Sequence, residues 1–182
     1  MNKAALRRAV RARFPGAAER DRQSALLCEH LLAWPALQAV RSVGAYVPLD
    51  WEADVTPLCR AILASGRRLA LPRVERDGRM TMRFTVDMSS LTRGRWGLLE
   101  PPEDAEEAPS LPLLIVPLEA VDPFGTRLGK GGGYYDRLLA NFTGISLGAA
   151  MDWQWVEKLP RERWDAPLDA VADAEGVHWM NR

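Results

Sequence analysis

The hexapeptide LLIVPL at residues 113–118 is the feature that most restricts how this chain can fold. All of its side chains are apolar, and no polar residue stands at alternate positions. A strand with one face in water alternates apolar and polar residues, whereas a strand of a parallel sheet is buried on both faces. Residues 113–118 are therefore predicted to be a central strand of a parallel sheet, which requires helices on both sides of that sheet.

Helical and extended patterns alternate along the rest of the chain. Leu6, Val10 and Phe14 recur every four residues, and Thr56-Pro57 is typical of a hydroxyl N-cap followed by proline at the first helical position. Helices are predicted over residues 2–14, 19–33, 56–65 and 134–142, and strands over residues 42–49, 68–74, 80–86, 144–151 and 168–174. The pattern has no internal repeat. It predicts one α/β domain over residues 1–182, a three-layer α/β/α sandwich with a mostly parallel, Rossmann-like central sheet.

Charge balance and cysteine usage limit the partners and the compartment. The chain has 24 basic and 24 acidic side chains, so electrostatics gives no reason to expect a nucleic-acid partner. No apolar run is long enough for a membrane span. Cys28 and Cys59 have apolar neighbours and no CxxC spacing, which favours reduced thiols in helices of a cytoplasmic protein. The start of the chain is Arg-rich and amphipathic, so an organellar presequence stays the alternative.

The run RLGKGGGYYDR at residues 127–137 concentrates the chemistry of the sequence. It follows the predicted central strand and leads into a predicted helix. Consecutive glycines let backbone N–H groups approach a ligand, and such a loop before a helix favours phosphate. Arg127 and Lys130 add positive charge, Asp136 could hold a magnesium ion, and Tyr134 or Tyr135 could stack on a flat ring.

A purely structural interpretation of this run stays open. The glycines can form a tight turn, Asp136 can interact with the helix dipole, and the tyrosines can belong to the core. The spacing matches neither the GxxxxGK[ST] phosphate loop nor GxGxxG. Basic, aromatic and acidic residues packed into one short segment favour the phosphate-binding interpretation, although the spacing alone names no substrate.

The segment VDPFGTRLGKGGGYYDRLL, residues 121–139, resembles the signature of the 5-formyltetrahydrofolate cyclo-ligase family. That signature is an aspartate, a short turn with glycine, RLG, a basic or variable residue, GxGYYD and a helix. Three further segments resemble the family in order and spacing, namely NKAALRRAVRARF, YVPLDWEADVTPL and LPRERWDAPLDAV. The resemblance thus covers nearly the whole chain.

The resemblance implies an enzyme that uses ATP and Mg²⁺ to convert 5-formyltetrahydrofolate into 5,10-methenyltetrahydrofolate, ADP and phosphate. The formyl oxygen attacks the γ-phosphate, and N10 of the same folate then displaces phosphate. No covalent enzyme intermediate is required, in keeping with a sequence in which His30 and His178 have no evident catalytic partners. The family usually acts as a monomer, with folate and ATP as its small-molecule partners.

The resemblance also assigns residues to the nucleotide. It implies ATP contacts in the first helix and in the glycine loop, and catalytic roles for Arg127, Lys130 and Tyr134. The implied ATP-binding set is Lys3, Ala4, Ala5, Leu6, Arg7, Arg127, Leu128, Gly129, Lys130, Gly131, Gly132, Gly133, Tyr134 and Tyr135.

The folate and the metal receive their own implied residues. Glu52 resembles the acid that accepts two hydrogen bonds from the pterin, and the aromatic residues Tyr46, Trp51 and Trp96 could form the pterin wall or belong to the core. The implied substrate-binding set is Val47, Glu52, Lys130, Gly131, Gly132, Gly133 and Tyr134. Asp136 and Asp165 resemble the magnesium ligands, with Asp169 as the alternative to Asp165.

The sequence departs from the family pattern at several positions. Leu118 stands where glycine usually follows the proline of the central strand, and Trp164 stands where His or Asn commonly precedes the aspartate. These changes concern packing and the second metal position more than the glycine loop. Two other functions stay open: a folate- or nucleotide-binding relative without turnover, and an enzyme of similar architecture acting on a sugar phosphate or a CoA thioester.

Overall fold

The structure is a computed structural model that describes residues 2–180, except for the side chain of Trp96. Its helices are α1 (Lys3–Arg11), α2 (Ala17–Ala33), α3 (Pro35–Gln38), α4 (Thr56–Ala64) and α5 (Tyr134–Leu139). Its strands are β1 (Ser42–Gly44), β2 (Arg68–Val74), β3 (Met80–Thr85), β4 (Thr92–Arg93), β5 (Leu99–Glu100), β6 (Leu113–Val116), β7 (Ala120–Val121), β8 (Arg127–Leu128), β9 (Ile145–Ala149), β10 (Ala170–Asp173) and β11 (Gly176–Trp179).

Seven of these strands form one sheet in the order β11-β10-β9-β6-β1-β2-β3. The five inner strands run parallel to their neighbours, and β3 and β11 pair antiparallel at the two edges. The predicted α/β fold with a mostly parallel sheet is confirmed. After β3 the chain crosses to the other side of β1, so the direction of strand addition reverses between β1 and β6. Ligands of open α/β sheets bind at such a reversal, outside the carboxyl ends of the strands.

Strand β6 is buried on both faces, as its unbroken apolar sequence predicts. Leu113 and Ile115 belong to the core on one face, which α2 and α4 cover. Leu114 and Val116 belong to the core on the other face, together with Leu139 of α5. The helices therefore lie on both sides of the sheet, in three layers.

A third, smaller cluster fixes α1 to the body of the molecule. Leu6 and Val10 pack against Ala120, Leu128 and Leu159. The four-residue spacing predicted this apolar face correctly, but α1 ends at Arg11 rather than at residue 14. Because Val10 and Leu128 share this cluster, α1 lies beside the strand that leads into the glycine loop.

Several local predictions need correction. Thr56 is the first residue of α4 rather than its N-cap, and the Asp54 carboxylate accepts the Thr56 N–H at 2.9 Å in its place. Strand β11 was not predicted. The Asp173 carboxylate accepts the N–H groups of Glu175 and Gly176 and thereby turns the chain back along β10.

The acidic segment at residues 100–112 is mostly irregular, as predicted, but part of it pairs with the sheet edge. The Phe84 N–H donates to the Glu106 carbonyl at 2.8 Å, and the Ala108 N–H donates to the Met82 carbonyl at 2.7 Å. Arg83 and Glu107 form an antiparallel bridge between these two bonds. The outer edge of β3 is thus covered by the chain itself.

Candidate active site

A cavity of about 1290 Å³ opens at the carboxyl ends of β1 and β6. It lies at the reversal of strand order, where the fold predicts a ligand site. Its wall combines the segment after β1, the segment after β6 and the whole glycine loop, with residues of α1 and of the stretch before β10 at its margin. The predicted site residues on this wall are Lys3, Arg7, Val47, Glu52, Arg127, Leu128, Gly129, Lys130, Gly131, Gly132, Gly133, Tyr134, Tyr135, Asp136 and Asp165.

A small hairpin aims the glycine loop at the cavity. Asp122 ends β7, and its Oδ1 accepts the N–H groups of Phe124 and Thr126 at 3.0 and 2.9 Å. This turn directs β8 back along β7, so the loop leaves β8 directly at the cavity wall. Two loop glycines, Gly131 with φ of 105° and Gly133 with φ of 65°, adopt backbone that side chains disfavour.

Arg127 and Tyr135 present buried polar atoms to this cavity. Arg127 is 7 % exposed, and its Nη2 lies 2.7 Å from Oδ1 of Asp136. The Nε atom of Arg127 and the hydroxyl of Tyr135 are buried without a hydrogen-bond partner. Burial raises the pKa of Tyr135, and the nearby Glu52 charge raises it further, so the hydroxyl stays protonated and can donate. Buried polar groups are normally paired, so these two atoms indicate a polar ligand.

Glu52 and Lys130 join the two halves of the predicted site. Glu52 is 2 % exposed, and its Oε1 lies 2.8 Å from Nζ of Lys130. Its Oε2 accepts the Leu49 N–H at 2.9 Å, which fixes the carboxylate within its own loop. A residue predicted for the pterin is therefore in direct contact with a residue predicted for the phosphates.

Helix α1 presents three of its four basic residues at four-residue intervals on one face, namely Lys3, Arg7 and Arg11. Lys3 lies 2.7 Å from Oδ2 of Asp165 and 2.8 Å from Oε2 of Glu162, and Arg7 Nε donates to the Gly129 carbonyl at 2.6 Å. Burial lowers the pKa of Lys3, but the hydrogen bonds to the two carboxylates outweigh it, and the pKa is raised overall. Lys3 therefore stays charged beside the loop.

The other predicted residues of α1 do not line the cavity. Ala4 is exposed, Ala5 is half-buried, and Leu6 packs into the apolar cluster with Val10. One face of a helix cannot contact both the core and the cavity. Of the residues implied for ATP in this helix, Lys3 and Arg7 are the two that line the cavity.

The carboxylates predicted for magnesium occupy different places. Asp136 and Asp165 both line the cavity, each paired with a cation. Asp169 lies outside it, and its Oδ2 accepts the backbone N–H and the hydroxyl of Ser146. Among residues 2–180, no group of three or more His, Cys, Asp or Glu side chains is arranged to hold a metal. Two carboxylates are nevertheless a fitting donor set for Mg²⁺, which takes its other ligands from phosphate and water.

The aromatic residues differ in their roles. Tyr46 lines the cavity, and its hydroxyl donates to the Ala53 carbonyl at 2.8 Å. Trp51 does not line it, and its indole Nε1 donates to Glu119. The side chain of Trp96 lies outside the described part of the chain. Local reasoning missed Glu119 and the apolar pair Leu98 and Leu99 on the cavity wall, since neither belongs to a recognisable motif.

The fold and the cavity together define an α/β protein with a glycine loop and basic side chains at the carboxyl edge of its sheet. The model of the 5-formyltetrahydrofolate cyclo-ligase family matches residues 1–173, and the chain belongs to this family. It is an enzyme, and its activity is the conversion of 5-formyltetrahydrofolate to 5,10-methenyltetrahydrofolate. The family uses ATP. The resemblance found in the sequence is confirmed.

Relatives and solved structures agree. The 5-formyltetrahydrofolate cyclo-ligase of Escherichia coli strain K12 is 35 % identical over 155 residues, which are 81 % of this chain and 85 % of the relative. That of Mus musculus is 31 % identical over 176 residues, 88 % of this chain and 87 % of the relative. The NMR structure of Aquifex aeolicus 5,10-methenyltetrahydrofolate synthetase has a TM-score of 0.88 and 32 % identity, covering 100 % of this chain and 94 % of its own.

Proposed function

We propose that ATP and the folate meet at the Lys130–Glu52 contact. The triphosphate lies along the glycine loop, near Arg127, Lys130 and Lys3, and the pterin lies against Glu52. The 2.8 Å ion pair between Nζ of Lys130 and Oε1 of Glu52 supports this arrangement, because it joins the two predicted ends of the site at one point. The unpartnered Arg127 Nε and Tyr135 hydroxyl add donors for ligand oxygens.

The chemistry requires two displacements. The formyl oxygen attacks the γ-phosphorus and displaces ADP, which leaves an iminium phosphate at N5. The N10 lone pair then attacks the former formyl carbon, the carbon–oxygen bond breaks, phosphate leaves and N10 loses its proton. The enzyme's task is to hold a weak nucleophile in line with phosphorus and to stabilise the moving charge.

Each loop residue has a defined part in this proposal. Arg127, which pairs with Asp136 in this structure, offers its N–H groups to phosphate oxygens. Lys130 exchanges its contact with Glu52 for the transferring phosphoryl group, while Glu52 accepts the two pterin donors. Tyr134, at the start of α5, lines the wall between them.

Asp136 and Asp165 are the residues that would hold a magnesium ion. The ion would neutralise part of the phosphate charge when bound, and two carboxylates beside a phosphate loop suit that chemistry. Lys3 and Arg127, the present partners of these carboxylates, would then turn toward the phosphate oxygens.

The domain organisation, the compartment and the partners concern the molecule as a whole. We infer a single domain over residues 1–182, since strands from Ser42 to Trp179 share one sheet. Within residues 2–180, no helix is long and apolar enough to cross a membrane. We propose a cytoplasmic monomer with small-molecule substrates and neither nucleic-acid nor membrane partners, supported by the balanced charge and the free, buried cysteines.

The placement of the metal is tested with Mn²⁺ in place of Mg²⁺ and paramagnetic resonance as the readout. The Asp136→Asn and Asp165→Asn variants should each bind Mn²⁺ with ATP roughly 10-fold more weakly than the native enzyme. Asp104→Asn, a change in the exposed acidic segment, is the control. Unchanged Mn²⁺ affinity in both site variants would remove these carboxylates from the proposal.

Turnover is followed by the near-ultraviolet absorbance of methenyltetrahydrofolate. The signal should rise with 5-formyltetrahydrofolate, ATP and Mg²⁺, and it should stay flat when either ATP or the divalent cation is left out. An ATP-independent rise would contradict phosphorylation of the formyl oxygen.

A further inference from the structure

Glu119 is a buried carboxylate for which the reaction described above has no use. It follows β6 by three residues and is 2 % exposed. Arg11 binds it with two parallel bonds, Nε to Oε2 at 2.9 Å and Nη2 to Oε1 at 2.5 Å. The Trp51 indole Nε1 donates to Oε1 at 3.2 Å. Fork-shaped Arg–carboxylate pairs fix geometry as well as charge.

The partners of Glu119 come from opposite ends of the site. Arg11 ends the helix whose Lys3 and Arg7 reach Asp165 and the Gly129 carbonyl. Trp51 directly precedes Glu52. The guanidinium carbon of Arg11 lies 4.4 Å from the centre of the Trp51 ring, so the two partners also contact each other.

The backbone of the same residue reaches the glycine loop. The Glu119 N–H donates to the Leu128 carbonyl at 2.7 Å, one residue before Gly129. Residue 119 therefore touches α1, the loop that carries Glu52 and the strand that leads into the glycine loop. Its carboxylate is engaged by Arg11 and Trp51, so it is oriented by protein groups.

We propose that Glu119 is a positioning residue that fixes the nucleotide side of the cavity relative to the folate side. It holds α1 through Arg11, and it holds the Glu52 loop through Trp51. This inference rests on the proposed placement of ATP and folate. The in-line attack of the formyl oxygen depends on the relative position of the two substrates, so a shift of either segment reduces productive alignment.

Variants of the two Glu119 partners should change different KM values. Trp51→Phe keeps an aromatic ring and loses the N–H, so it should raise KM for 5-formyltetrahydrofolate about 5-fold and change KM for ATP less than 2-fold. Arg11→Lys keeps the charge and loses the fork, so it should show the opposite preference. Glu119→Gln should raise both values, and it should lower kcat further than either partner variant.

Asp173 provides a matched control outside the cavity. It is also a buried carboxylate that accepts an indole N–H, from Trp155 at 3.1 Å. Asp173→Asn should lower the melting temperature and leave both KM values within 2-fold. The same outcome for Glu119→Gln, a lower melting temperature with unchanged KM values, would reduce Glu119 to a stabilising residue and overturn the proposal.

The positioning role of Glu119 and the placement of the pterin at Glu52 can be tested separately. Glu52→Gln, measured in parallel, tests the placement alone. Suppose that Glu52→Gln raises KM for folate, but the variants of Glu119, Trp51 and Arg11 do not show the KM changes given above. The positioning role is then wrong, and the placement of the substrates stands. If Glu119→Gln does not fold, Trp51→Phe and Arg11→Lys decide the question, since each leaves Glu119 with one partner.

Discussion

At the scale of single residues, the proposed placement gives Glu52 the pterin of the folate as its ligand. One of its oxygens accepts the Leu49 N–H, and the other faces Lys130 at 2.8 Å. In the proposed placement the pterin donors share these oxygens with Lys130, so folate binding would be linked to the release of Lys130 toward phosphate. Folate would thereby help to prepare the loop for the phosphoryl group.

Replacing Glu52 by glutamine should weaken folate binding selectively. The amide retains one acceptor oxygen and loses the charge that suits two parallel donors, so KM for 5-formyltetrahydrofolate should rise about 10- to 100-fold. KM for ATP should change far less. Steady-state kinetics with each substrate varied measures both, and Glu106→Gln, an exposed acid paired with Arg68 outside the cavity, is the control. Equal effects on both substrates would contradict the placement of the pterin.

Lys130→Ala should reduce kcat by roughly 100-fold or more, because it removes a cation from the developing phosphoryl charge. The fold should be preserved, since the Lys130 side chain is 42 % exposed and belongs to none of the apolar clusters. Circular dichroism checks the fold and the absorbance assay gives kcat. Lys158→Ala, on the exposed surface, should be indistinguishable from the native enzyme. Normal turnover of Lys130→Ala would exclude Lys130 from the site.

The two cysteines should be unreactive in the native protein. Burial raises the pKa of Cys28 to about 11 and that of Cys59 to about 12. At pH 8 both thiols are therefore protonated, and the reactive thiolate is a fraction on the order of one in a thousand or less. A chromogenic disulfide reagent should label neither thiol in buffer at pH 8 and both in guanidinium chloride. Rapid labelling without denaturant would contradict the buried positions.

At the scale of elements, the glycine loop depends on backbone that few residues tolerate. Gly131 has φ of 105°, and a Cβ atom there would lie 3.4 Å from Nη2 of Arg7. Gly16 has φ of 109° and no atom within 4 Å of such a Cβ, so it is a matched position far from the loop. The comparison separates backbone strain from effects on the ligand.

Gly131→Ala and Gly16→Ala should each lower the free energy of unfolding by about 1–3 kcal/mol, the typical cost of strained backbone. Only Gly131→Ala should also weaken the binding of a non-hydrolysable ATP analogue, because its strained loop lines the cavity proposed for the phosphates, whereas Gly16 does not line it. Denaturant titration and calorimetry measure the two effects. Equal loss of nucleotide affinity in both variants would separate the loop from the phosphates.

The elements that local sequence predicted are those whose own side chains determine them. The apolar run of β6 and the periodicity of Leu6 and Val10 needed no distant partner to be recognised. Strand β11 is different, because its residues GVHW are mostly half-exposed and depend on pairing with β10. The two-residue strands β7 and β8 likewise depend on the Asp122 carboxylate, which a pattern of hydrophobicity does not reveal.

The residues of the candidate site also differ in whether the sequence alone could indicate them. The glycine run and its flanking charges form one continuous segment, so the sequence could indicate phosphate chemistry there. Glu52 was identified through the family resemblance, and its contact with Lys130 joins residues far apart in the chain. Glu119 had no signal at all, since its partner Arg11 lies 108 residues away.

At the scale of the whole molecule, we expect a monomer. The chain has a mass of 20.3 kDa. Light scattering coupled to size-exclusion chromatography should give a mass near that value at micromolar concentration, with and without ATP. A mass of twice that value that persists on dilution would contradict the expectation.

The pairing of residues 106–108 along the outer edge of β3 affects how readily the protein aggregates. An open strand edge is a template for accretion of further chains into fibrils, and proteins commonly shield such edges with charge or with a covering segment. Here the covering segment satisfies main-chain groups of Met82 and Phe84, and it places the exposed acid Glu107 along this edge. On this flank the enzyme is thus guarded against self-templated polymerisation, even when it is crowded.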